Sequence, residues 1–167
     1  MALIVEVRIE TPAWRKAWPR VVAETKALIR GAAGQVPPSL KLRRTGKPGH
    51  DELYEVAVVL AGDEKLSALN AQYRGKAKPT NVLSFPDGDG SPGGGIALSF
   101  ETISAEAKAQ SKPFVNHAKH MILHGFLHLH GFDHDKPSAA RLMEGLEIAM
   151  LARMGIPNPY LIENPRA

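Results

Sequence analysis

Six of the seven histidines in this chain fall between positions 117 and 134. Imidazole binds transition metals and exchanges protons near neutral pH, so the spacing within this cluster matters. On a helix turning 100° per residue, Val115, Ala118, Ile122, Phe126 and Leu129 share an apolar face. His117, His120, His124 and His128 line the opposite face, and His130 points elsewhere. His124 and His128 stand at i and i+4, one turn apart, and can clamp one ion at bond lengths of about 2.0–2.1 Å. His120 and His128 are separated by ~12 Å of helix rise, so a straight stripe cannot supply a third ligand. Gly131 can adopt positive φ and turn the chain back, which lets His134 fold over the first two. Three histidines with an open fourth position is the arrangement of a catalytic zinc rather than a closed structural one. His117, His120 and His130 are expected at the surface or as supporting residues.

The spacing H-x3-H-x2-G-x2-H, from His124, His128, Gly131 and His134, is that of the metzincin zinc proteases with one change. Where those enzymes carry the glutamate that takes a proton from the attacking water, this chain has Gly125. The same motif that points to a hydrolase-like zinc site therefore argues against a protease. Asp133, beside His134, is expected as a turn or supporting carboxylate. The chain has no cysteine, so any metal must be held by His, Asp or Glu. Gly88, Gly90 and Gly93 match G-x-G-x-x-G, but they contain Pro92 and lead into a strand-like segment, which reads as a loop rather than a dinucleotide fingerprint.

These residues need elements to position them. Residues 2–9 alternate and are β-branched, as a strand does. Thr11 and Pro12 start a basic helix over 13–30, with Pro19 against its continuity. The Gly/Pro-rich basic stretch 31–50 reads as a mobile loop, and 53–60 as a strongly β-prone run. Asp63 is expected to cap a helix reaching Tyr73. Strands are expected at 81–85 and 96–100, separated by the loop 86–95, with a helix at 102–110. Ser111 and Pro113 open the long histidine-bearing helix that Gly131 ends. A last helix spans about 138–154 with Leu142, Leu146, Ala149 and Met150 on one face, and 155–167 is an irregular tail. A few strands first and helices later predict an α+β fold.

The chain has 167 residues, enough for one domain with a sizeable core, and no linker divides it. Hydrophobic residues at 44% and charged residues at 23% exclude a disordered, collagenous or coiled-coil chain. No apolar run approaches the ~18 residues of a bilayer span, and MALIVEVRIE lacks the basic start of a signal peptide, so a cytoplasmic protein is expected. Residues 1–48 hold ten basic and three acidic side chains, whereas the remainder holds eleven and fourteen. A basic N-terminal third suits a polyanion such as RNA.

The block HGFLHLHGFDH at 124–134 resembles the YbeY family of bacterial metal-dependent endoribonucleases, whose pattern has the form HGxLHLxGYDH. LNAQYRGKAKPTNVLSFP at 69–86 is similar to a second family block, and NPYLIE near the end is a weaker match. The resemblance implies a single α+β domain over 1–167, zincin-like, with a small mixed sheet covered by helices and a metal site at the C-terminal end of the long helix. It implies one zinc ion per chain on His124, His128 and His134, with His124 and Arg74 assigned to catalysis. It further implies cleavage of single-stranded RNA, in maturation of the small-subunit ribosomal RNA 3′ end and in ribosome quality control. The partners would be ribosomal RNA and the small ribosomal subunit, with no membrane and no DNA. A guanidinium fork suits a phosphate, which agrees with Arg74. One departure is Gly94-Gly95, where the family commonly has Gly-Asp. The competing readings are a non-catalytic ribosome-assembly factor with a structural zinc, and a zinc hydrolase of another substrate.

Overall fold

The computed structural model describes residues 2–36, 53–88 and 91–161. Four strands form one mixed sheet: β1 (Ala2–Ile9), β2 (Leu53–Ala61), β3 (Val82–Pro86) and β4 (Gly94–Ser99), in the order β1-β2-β4-β3. β1 pairs with β2 in parallel, from Ala2 opposite Leu53 to Ile9 opposite Leu60. β2 pairs with β4 in parallel, and β3 closes that edge antiparallel, with Pro86 opposite Gly94 at its end. Among the described residues six helices complete the fold: α1 (Ala13–Ala17), α2 (Val21–Gln35), α3 (Asp63–Arg74), α4 (Phe100–Ala109), α5 (Phe114–Leu129) and α6 (Pro137–Arg153). This is the α+β architecture the order of elements predicts.

Alternation along the strands sorts two faces. Val56, Val58, Leu60, Ile96 and Leu98 bury one face in the main core, together with α2, α5 and α6. The alternate positions Ala61 and Ala97 form a smaller cluster with Leu66 of α3 and Leu83 of β3. Trp14 is fully buried, donates from its indole N–H to the Ala61 carbonyl at 2.9 Å, and packs on Phe100 and Phe114. α5 is buried nearly all round, from His117 through Leu129, which makes it the central helix. Among the described residues no helix is long and apolar enough to cross a membrane.

Several expectations are corrected. The basic helix expected over 13–30 is two helices, broken at 18–20 where Pro19 cannot continue the hydrogen-bond ladder. The second runs on to Gln35, so 31–35 is helix rather than loop; the rest of the expected 31–50 loop lies largely outside the described residues. Asp63 opens α3, but its carboxylate accepts from the Thr102 hydroxyl at 2.6 Å and also from Ser99 instead of capping its own helix. On α6 the buried face is Met143, Glu147, Met150 and Leu151, whereas Leu142 is exposed. The expected face was displaced because it excluded a charged residue, Glu147, that in fact points inward.

Candidate metal centre

α5 ends in a Schellman turn. The Phe132 N–H bonds the Leu127 carbonyl at 3.2 Å, the Gly131 N–H bonds that of His128 at 3.0 Å, and Gly131 takes φ 87°. Phe132 is buried beyond the turn, which anchors the reversal. The chain then carries His134 back over the last two turns of α5. His124, His128 and His134 converge as the spacing predicts: one ring nitrogen from each lies within 4.8 Å of the others. The Nε2 atoms of His124 and His128 face each other at 3.1 Å. Two nitrogens on one tetrahedral ion at bond lengths of about 2.0–2.1 Å would stand about 3.3 Å apart. The residues present therefore fit a metal.

Burial, then the neighbouring His124 and His134, pushes the His128 pKa down, which favours the neutral, ligand-competent ring. His134 is more open, its side chain 56% exposed, which leaves one flank of the group accessible. Asp133 accepts the His134 backbone N–H at 2.6 Å and lies 3.6 Å from the ring, so it shapes the turn as expected.

His117, His120 and His130 are not at the surface: each is buried. His117 meets Glu106 at 3.0 Å through Nε2, and His130 meets the Phe126 carbonyl at 3.1 Å. His120 meets Glu147 through Nε2. The Nδ1 atoms of His117 and His120 are buried without a partner. A proton there would be an orphaned donor, so both rings are Nε2–H tautomers donating to their carboxylates.

The residue that sequence reasoning missed is Glu147, fully buried on α6. Its Oε1 lies 3.4 Å from His124 Nδ1, and its Oε2 accepts from His120 and from the Tyr160 hydroxyl at 2.9 Å. Desolvation alone would raise its pKa, but the histidine bonds outweigh it and hold it down at about 2. Burial and then the Glu147 charge push the Tyr160 pKa up, so the phenol stays a donor. Among the described residues no Lys or Arg pairs with Glu147. A buried anion beside one ligand, with no described Lys or Arg against it, suits a site that holds a cation. The available signal was a glutamate at the centre of the Met143/Met150/Leu151 face.

Gly125 has a packing reason. A Cβ there would stand 2.7 Å from Ile96 Cγ2, 3.1 Å from Ser84 Oγ and 3.2 Å from Val82 Cγ2. The position faces the sheet, and its carbonyl accepts from the Ser84 hydroxyl at 2.9 Å. A glutamate base has no room at 125. Arg74 is the exposed last residue of α3, before Gly75 in the left-handed conformation, and makes no hydrogen bond or ion pair with another described residue. Buried Asn70 ties the following loop by donating to the Lys78 carbonyl at 3.0 Å. The histidines are thus brought together, and Arg74 is left unengaged on a neighbouring element.

Fold and site define an α+β protein with a three-histidine group, at the end of its central helix, that could hold a cation. Residues 36–155 match the family described as Endoribonuclease YbeY, and the chain belongs to that family. It is 49% identical over 114 residues to the Endoribonuclease YbeY of Rhodopseudomonas palustris (strain ATCC BAA-98 / CGA009), covering 64% of this chain and 60% of that protein. It is 47% identical over 112 residues to that of Maricaulis maris (strain MCS10), covering 66% and 70%. With Magnetococcus marinus Endoribonuclease YbeY the identity is 47% over 122 residues, covering 64% and 83%. The match thus spans about three fifths of the R. palustris relative's length. The solution structure of TM1509 from Thermotoga maritima superimposes with a TM-score of 0.52 at 18% identity, over 98% of this chain and 99% of that one, a likeness of fold.

Proposed function

We propose that this protein is a zinc-dependent endoribonuclease specific for single strands, acting on the 3′ end of small-subunit ribosomal RNA and in ribosome quality control in the cytoplasm. The observation that carries the reading is the convergence of His124, His128 and His134 with one flank open. The family match supports the nuclease class, and the sheet-facing Gly125 counts against a protease. His124 and His128 of α5 and His134 from the turn would hold the ion. Zinc at such a site supplies Lewis acidity to a phosphoryl oxygen. Arg74 donates its guanidinium fork to a second phosphate oxygen, since no described residue competes for it. An unpaired strand can splay its backbone into the site, whereas a continuous duplex cannot. Cleavage of unpaired RNA that chelator abolishes and zinc restores, with hairpin stems and casein left intact, is the expected result. Equal cleavage of stems and unpaired tracts, or RNA binding without cleavage, would overturn it.

A further inference from the structure

We propose that Glu147 is a positioning residue for the metal site and that Tyr160 locks it in place, so the C-terminal segment helps set the metal centre. The proposal rests on the three-histidine reading above. With Nε2 of His124 turned toward His128, the ring's proton belongs on Nδ1, the atom that faces Glu147 Oε1 at 3.4 Å. A carboxylate behind a ligating imidazole fixes its tautomer, its rotation and its basicity. Glu147 can do this because its other oxygen is already held, by the Nε2–H of His120 and by the Tyr160 hydroxyl at 2.9 Å.

Tyr160 arrives by a second Schellman turn, at the end of α6. The Ile156 N–H bonds the Leu151 carbonyl, the Gly155 N–H bonds that of Ala152, and Gly155 takes φ 74°. Ile156 is buried beyond the turn, and Lys112 donates to the Pro159 carbonyl at 2.7 Å, which docks the returning strand of chain. One glycine turn thus delivers the third histidine, and another delivers the clamp on the residue behind the first.

The test is metal affinity, measured by chelator competition on the full chain, with the visible spectrum of the cobalt-loaded protein and the melting temperature of the metal-free protein in parallel. Glu147→Gln is expected to weaken zinc binding about 10–100-fold and to shift the cobalt bands. Tyr160→Phe is expected to shift both in the same direction by less. A carboxylate that only supports the fold would lower the metal-free melting temperature and leave affinity and spectrum unmoved. That outcome, with His124→Ala losing metal, overturns the proposal and leaves the metal site standing. Should His124→Ala bind zinc as the unaltered protein does, the three-histidine reading itself fails. Should Glu147→Gln not fold, Tyr160→Phe decides, because Tyr160 is 41% exposed and its change removes one oxygen. Unchanged affinity and spectrum there overturn the proposal.

Discussion

Position 125 sits mid-helix, where glycine costs roughly 0.5–1 kcal/mol relative to alanine, yet the sheet leaves no space for a methyl group. Gly125→Ala is therefore expected to lose about 1–3 kcal/mol by overpacking against Ile96, despite its better helix propensity. Urea unfolding of the metal-free protein measures this; a raised midpoint would mean that α5 can lift off the sheet freely. On the proposed reading, Arg74 would separate metal binding from chemistry. Arg74→Ala is expected to slow single-turnover RNA cleavage by two to three decades, about 2.7–4 kcal/mol, with bound zinc unchanged. Arg74→Lys keeps the charge but loses the planar two-point contact, and is also expected to be slow. Loss of zinc in either variant would move Arg74 from the phosphate to the metal shell.

At the scale of elements, α5 and α6 each end in a glycine-centred reversal that returns a side chain to the site. Gly131 holds φ 87°, where a residue with a Cβ loses roughly 1–2 kcal/mol. Gly131→Ala is expected to weaken zinc binding markedly, because His134 depends on that turn. Gly155→Ala strains an equivalent turn, at φ 74°, but displaces only Tyr160, which clamps the glutamate behind His124, so its effect on affinity is expected to be smaller. Isothermal titration of both variants checks the order; equal losses would mean the two turns are not separable. Gly131 was legible in the sequence because a glycine followed a periodic helix and preceded a spare histidine. Glu147 and Tyr160 were not: a glutamate on an apolar face shows that it turns inward but not which partners it meets, and periodicity places a tail tyrosine nowhere.

For the whole molecule, burial of histidine couples stability to pH. Burial pushes the His117 pKa below its ordinary 6.5, and Glu106 only partly pulls it back, with His120 and Lys112 adding to the depression. The unfolded chain therefore takes up this proton first. The contribution of neutral His117 is full above about pH 6.5 and is lost as pH falls from there toward the folded value. Metal-free protein is expected to be less stable at pH 5.5 than at 7.5. His117→Gln should flatten that slope by up to about 1.4 kcal/mol per pH unit, the limit for one proton. An unchanged slope in urea titrations at the two pH values would assign the proton uptake elsewhere. Zinc bound only to the folded state should raise stability by about 2.7 kcal/mol at a hundredfold excess over its dissociation constant. Calorimetric melting with and without zinc checks this, and His124→Ala should show no such rise.

The sequence by itself determined most of the elements and the three histidines that converge at the end of α5. Strand alternation, the i and i+4 histidines and Gly131 are local signals, and each acts within a few residues of itself. The resemblance in two blocks added the family and Arg74. What only the tertiary structure decided depends on which faces meet. β3 and β4 press on α5 at Gly125, so the absent glutamate is a matter of packing as well as chemistry. His117 and His120 lie on the histidine stripe, and one helix alone cannot show that its neighbours bring Glu106 and Glu147 against it. Glu147 reaches His124 across 23 positions and Tyr160 reaches Glu147 around a turn. Hydrogen bonds between separate elements leave no periodicity in either element, so they are visible only once the helices are packed.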